Sequence, residues 1–170
     1  MTSLGTGIAF LGAILAVGLA CAGSGRGVGL AGEAGAGVIA EDPSKFAQCL
    51  ILEIIPGTQG LYGLVIWFFA MMKMGFFATG VPDLSLSVGL QYFAACLPMG
   101  IGGYFTAIAQ GRCAAAGVMA VARRGDQMAK GLIFAIMVEF YGRFYKEGGV
   151  PFRPLSYRTK YTQVRKEEML

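Results

Sequence analysis

The sequence predicts an all-α membrane protein: four transmembrane helices arranged as two tandem-repeat hairpins. Three observations carry that class. Of 170 residues, 55% are hydrophobic and only 14% are charged, against roughly 25% charged in an ordinary soluble domain. Apolar stretches run at 4–40, 46–78, 86–122 and 127–145, separated by short turn-rich connectors. The halves also repeat, since QCLILEIIPGTQG (48–60) lies over KGLIFAIMVEFYG (130–142) at an offset of 82.

Taken in order, the first stretch (4–40) is expected to be a mature span. Gly18-Leu19-Ala20-Cys21 resembles a lipoprotein cleavage site, but no Lys or Arg precedes the apolar run as a signal peptide requires. Within it, GSGRGVGLAGEAGAG (23–37) contains G-x-G-x-x-G at Gly27, Gly29 and Gly32. A dinucleotide fingerprint needs a preceding strand and a βαβ unit, and the surrounding pattern offers neither. Small residues every three or four positions instead let membrane helices approach closely. EDPSK (41–45) turns the chain into 46–78, TGVPDLS (79–85) into 86–122, and RRGDQ (123–127) into 127–145. A helix needs ~20 apolar residues to cross a bilayer, so the first three are expected to project beyond the hydrocarbon on one side. The first hairpin takes residues 1–78 and the second 79–145, leaving 146–170 as an atypical polar, basic tail.

Charge sets the orientation. Arg26, Lys45, Arg112, Arg123, Arg124 and Lys130 lie toward the first and third connectors, and only Lys73 toward the second. Positive charge marks the cytoplasmic side, so both hairpin tips are expected there, with the N-terminus outside. The net charge is +4, yet no basic patch interleaved with aromatics occurs in the body, and nucleic acid is not an expected partner. Cys21, Cys49, Cys96 and Cys113 each stand alone in apolar sequence without metal-ligand spacing. Histidine is absent, which removes the commonest proton shuttle.

Glu139 lies deep in LIFAIMVEFY. A charged side chain at the bilayer centre costs at least ~2.5–3.5 kcal/mol, so such a carboxylate marks a candidate site. The plainer alternative is a structural carboxylate bonded to a neighbouring helix. Folding 86–145 about its connector makes Gln110 and Glu139 mirror-placed, each about 14 residues, or ~21 Å, from the tip. In the first hairpin Thr58 and Gln59 lie at a similar distance from Pro43. Ile55, Thr58, Gln59 and Tyr62 share one helical face.

Pro56 donates no N–H, bends the helix and leaves a carbonyl near Leu52 without its usual partner. Such backbone is tolerated at membrane depth where it lines a site, although a proline kink with Thr58 bonding its own helix is the plain alternative. A hydroxyl, two amide oxygens, a carbonyl and a carboxylate exceed what a proton needs. They suit a hard cation such as Na+.

GVGLAGEAGA (27–36), with LILEIIPGTQGLYG (50–63), AIAQGRCAAAG (107–117) and GLIFAIMVE (131–139), resembles the membrane rotor-ring proteolipid of V-type ATPases, also called the K subunit. The likeness is strongest to the duplicated four-helix form of bacterial sodium-pumping enzymes and covers about residues 5 to 141. The resemblance implies a homo-oligomeric ring in the cell membrane, turning against a stator membrane subunit and joined to central-stalk subunits. The proteolipid would not itself be a catalyst. The resemblance also implies that Glu139 carries the ion, Na+ or alternatively H+. Thr58, Gln59, Gln110 and the Ile55 carbonyl would complete the ligand set, Tyr62 would hydrogen-bond Glu139, and Pro56 with Gly57 would form the kink.

One departure stands out. The family's fourth helix continues apolar past the glutamate, whereas here GRFYKEGGVPFRPLSYRTKYTQVRKEEML follows and puts basic charge on the outer side. The tail reads as aberrant relative to the family, as a shifted reading frame or corrupted gene end would produce. Two other function classes remain for comparison. A small four-helix secondary transporter would use Glu139 for exchange, but its usual inverted repeats disagree with parallel hairpins. A purely structural tetraspan protein explains the glycines but not the shared polar depth. No nucleophile–base pair, metal cluster or phosphate loop points to an enzyme.

Overall fold

A computed structural model describes residues 3–148, and every regular element in that range is helical. The helices are α1 (Leu4–Glu41), α2 (Phe46–Ile54), α3 (Thr58–Met74), the short α4 (Phe76–Thr79), α5 (Leu86–Arg123) and α6 (Met128–Gly148). Three-residue 3-10 turns at Pro43–Lys45, Ile55–Gly57 and Gly125–Gln127 join them. The apolar stretch expected at 46–78 is therefore broken twice. Pro56 interrupts it at Ile55–Gly57, and Gly75, in the left-handed conformation at φ 81°, ends α3. That backbone is open to glycine at little cost.

Among the described residues, three helical segments are long and apolar enough to cross a membrane: Leu4–Glu41, Pro43–Lys73 and Leu86–Arg123. At 38 residues, α1 and α5 are each roughly 57 Å long, well beyond a hydrocarbon core of about 30 Å. The expected fourth span, α6, has 21 residues, and Lys130, Glu139 and Arg143 interrupt its apolar length. Its backbone stays helical to Gly148. The basic tail expected at 146–170 lies outside the described residues from 149 onward.

The hairpins lie side by side and parallel. α1 packs chiefly along α5, a contact made possible by missing side chains. A Cβ at Gly12 would fall 2.5 Å from the Phe93 Cα, and one at Gly23 would fall 2.5 Å from the Tyr104 Cα. Ala9, Ala13, Ala16 and Ala20 of α1 are fully buried beside Met71 and Met74 of α3 and Cys96 and Met99 of α5. With lipid as solvent, this close van der Waals fit drives helix association.

Polar contacts fix the register at both ends. Thr6 Oγ1 donates to the Pro82 carbonyl at 2.7 Å, and Ser3 Oγ, which caps α1, donates to that of Leu84 at 2.7 Å. At the hairpin tips, Lys45 Nζ donates to the Ala122 carbonyl at 2.8 Å and Gln48 Nε2 to that of Gly125 at 3.4 Å. Asp42 caps the first tip by accepting from Ser44 N at 3.1 Å and Ser44 Oγ at 2.6 Å. The Ser44 hydroxyl, and then Lys45, hold its carboxyl below the ordinary carboxylate value.

Candidate cation site

In the second hairpin, Gly117 and Gly131 face each other so closely that a Cβ at Gly117 would stand 3.1 Å from the Gly131 Cα. Following both helices onward by equal steps brings Gln110 level with Val138 and Glu139. In the first hairpin the Pro56 side chain abuts Gly27, where a Cβ would stand 2.8 Å from the Pro56 Cβ. Gly27 in turn meets Ala107 and Gly111 of α5. The proline turn, Gln110 and Glu139 thus share one level of the bundle.

Around that level the side chains differ in their bonding. Tyr62 Oη donates to Glu139 Oε1 at 2.5 Å, linking α3 to α6 across 77 sequence positions. Both partners are half-buried. Thr58 Oγ1 donates to the Ile55 carbonyl at 2.9 Å, and the Thr58 N–H caps the same carbonyl. Thr58 therefore bonds its own helix, and its hydroxyl proton is directed away from the oxygen's remaining lone pairs. Those lone pairs are what a cation would use.

Gln59 and Gln110 are the unusual members. Both are completely buried, and among the described residues neither the oxygen nor the nitrogen of either amide has a hydrogen-bond partner. Buried polar groups are paired in the great majority of cases, and an unpaired one costs about 1–3 kcal/mol. Two whole amides left so, one on α3 and one on α5, are candidates to meet a polar ligand. No group of three or more His, Cys, Asp or Glu occurs among the described residues. The chemistry on offer is one carboxylate with neutral oxygens.

One participant escaped the sequence reading. Ser24 Oγ on α1 donates to the Pro56 carbonyl at 2.8 Å and accepts from the Gly60 N–H at 2.7 Å. It sits inside a glycine-rich string that reads as packing surface. The mirror placement that pairs Gln110 with Glu139 also pairs Ser24 with Gly60 about the first tip, and could have found it.

The pattern of the ATP synthase C-subunit family matches residues 11–70 and again 93–143, one copy in each hairpin. The chain is 46% identical over 119 residues to the V-type sodium ATPase subunit K of Enterococcus hirae, a match covering 70% of this chain and 72% of that protein. It is 41% identical over 129 residues to the A-type ATP synthase subunit K of Methanocaldococcus jannaschii, covering 76% of this chain. The match spans about half, 54%, of the archaeal protein's length. With both hairpins matched and the enterococcal protein aligned over more than two thirds of its length, the chain belongs to the ATP synthase C-subunit family, as a duplicated rotor proteolipid of the V-type.

Proposed function

We propose that the chain is an ion-carrying member of the rotor ring of a V-type rotary ATPase, with Na+ as its cargo. As a rotor proteolipid it carries ions and is not a catalyst by itself. In this reading Glu139 holds the ion. Thr58 Oγ1, the Gln59 and Gln110 amide oxygens and the Ile55 carbonyl complete the oxygen shell. Tyr62 keeps the carboxylate turned toward them.

The observation that carries the reading is the pair of buried amides without partners, level with a single membrane carboxylate. Oxygen donors suit hard cations. One carboxylate against one monovalent ion leaves a neutral site, the form that costs least in a low-dielectric surround. The name of the enterococcal relative, a sodium ATPase subunit, supports Na+ over H+. Copies of the chain form the ring, whose exposed apolar residues such as Leu61, Phe68, Phe134 and Phe140 meet lipid or neighbouring copies. The stator membrane subunit and the central-stalk subunits are its partners in the complex. All four helical segments cross the cell membrane in this reading, α6 as the fourth, with both hairpin tips cytoplasmic.

Carbodiimide labelling of membranes containing the full chain tests this. With dicyclohexylcarbodiimide at fixed pH, modification at Glu139 is expected and should slow as sodium rises. Labelling that ignores sodium but falls with rising pH would replace the cargo by H+. Absence of modification at Glu139 with or without sodium would overturn the site.

A further inference from the structure

In an unbroken α-helix the Gly60 N–H and the Pro56 carbonyl would form an i→i−4 hydrogen bond. Here a hydroxyl from another helix is spliced between them. Ser24 Oγ takes the Gly60 N–H at 2.7 Å and gives its own proton to the Pro56 carbonyl at 2.8 Å, with the Gly57 carbonyl a longer second acceptor at 3.5 Å. Ser24 is buried, with 6% of its surface exposed. Insertion of a side chain into the ladder is a recognised cause of a local helix opening. Between the two bridged groups lie Gly57, Thr58 and Gln59, so one hydroxyl clamps both ends of the turn that presents two of the proposed ligands.

The internal repeat supplies a control. At the repeat offset Pro56 corresponds to Val138, and Ser24 to Thr106. Where the outer helix has no proline, the inner-helix hydroxyl stays at home, and Thr106 Oγ1 donates to the Gly102 carbonyl of its own helix at 2.7 Å. The hydroxyl crosses to the outer helix only in the hairpin whose ladder is open. Space for the crossing is also specific, since a Cβ at Gly60 would sit 3.3 Å from Ser24 Oγ.

We propose that Ser24 is a positioning residue of the cation site, holding the 56–60 turn open so that Thr58 and Gln59 meet the ion in register with Gln110 and Glu139. This inference rests on the cation reading of the site. Partners behind a metal's own ligands typically contribute 10–100-fold to its affinity, and a serine acting through backbone belongs at the lower end.

The test compares Ser24→Ala, Ser24→Cys and Ser24→Thr in the full chain in membranes, reading the sodium concentration that half-protects Glu139 from dicyclohexylcarbodiimide. Ser24→Ala is expected to raise it on the order of 10-fold. Ser24→Cys, with a weak donor and acceptor, should fall between, and Ser24→Thr should stay near the parent value. A merely structural serine would lower ring yield or sodium-free melting temperature and leave the half-protecting concentration unchanged, and that outcome overturns the proposal. Should Ser24→Ala not accumulate, the Cys and Thr variants decide the matter, equal values again counting against it. If the parent chain itself shows no sodium protection, the cation reading fails and the role of Ser24 falls with it, whereas protection in the parent with equal values in all variants overturns the role of Ser24 alone.

Discussion

At the scale of single residues, the site is defined by what its amides lack. Gln59 and Gln110 are fully buried without hydrogen-bond partners among the described residues, so the ion-free protein carries a cost of about 1–3 kcal/mol for each unsatisfied group. The ion would offset that cost through the amide oxygens. Replacing Gln110 by Leu, of similar bulk and no polarity, removes both the cost and the ligand. Ring thermal stability measured without sodium should rise in Gln110→Leu, while the gain on adding sodium should shrink to near zero. A variant that still gains stability from sodium as the parent does would show that Gln110 contacts no ion. As candidates, Glu139 and Gln110 stood out in the sequence because a lone carboxylate in apolar text is conspicuous and its mirror position holds a polar residue. Ser24 was not, since a serine among glycines reads as one more small residue until its partners, the Pro56 carbonyl and the Gly60 N–H, are seen.

At the scale of elements, the glycines divide into those that touch something and those that do not. In α1 a Cβ at Gly27 would press on the Ala107 carbonyl and stand 2.8 Å from the Pro56 Cβ, whereas a Cβ at Gly25 would meet nothing within 4 Å. Gly27→Val should therefore push α5 and the proline turn away from α1 together and abolish recovery of an intact ring. Gly25→Ala should assemble normally, with a stability gain of up to about 0.5–1 kcal/mol from the better helix former. Native gel electrophoresis of detergent extracts separates the two outcomes, and an intact Gly27→Val ring would refute the tight α1–α5 fit. The helix-rich stretches and the break at Pro56 were legible from hydropathy and from proline's missing N–H. The second break was less so, because Gly75 sits in continuous apolar text and only its φ of 81° marks the end of α3. Hydropathy drew four stretches, only the first three of them longer than a span needs, and α6, with its glutamate and nearby cations, is the weakest membrane-crossing element on length and composition.

At the scale of the whole molecule, the two hairpins run parallel, and this separates a rotor proteolipid from a transporter of inverted repeats. Contacts between corresponding parts of the two halves recur at similar sequence separations of 76 to 78: Thr6 with Pro82 and Leu84 at one end, Lys45 with Ala122 and Gln48 with Gly125 at the other. Such a pattern is possible only if corresponding parts of the two halves lie at the same height. Both tips must then emerge on one side of the membrane and the 79–85 connector on the other. In the proposed orientation the tips, with their excess of Lys and Arg, are cytoplasmic. In a background with the four cysteines replaced, Ser44→Cys and Asp126→Cys should react with a membrane-impermeant maleimide in inside-out vesicles and resist it in intact cells. Asp83→Cys should do the reverse. Ser44→Cys and Asp126→Cys reacting from opposite sides would contradict the parallel pairing of the hairpins. The same side for both, but the outer one, would keep the fold and reverse the orientation.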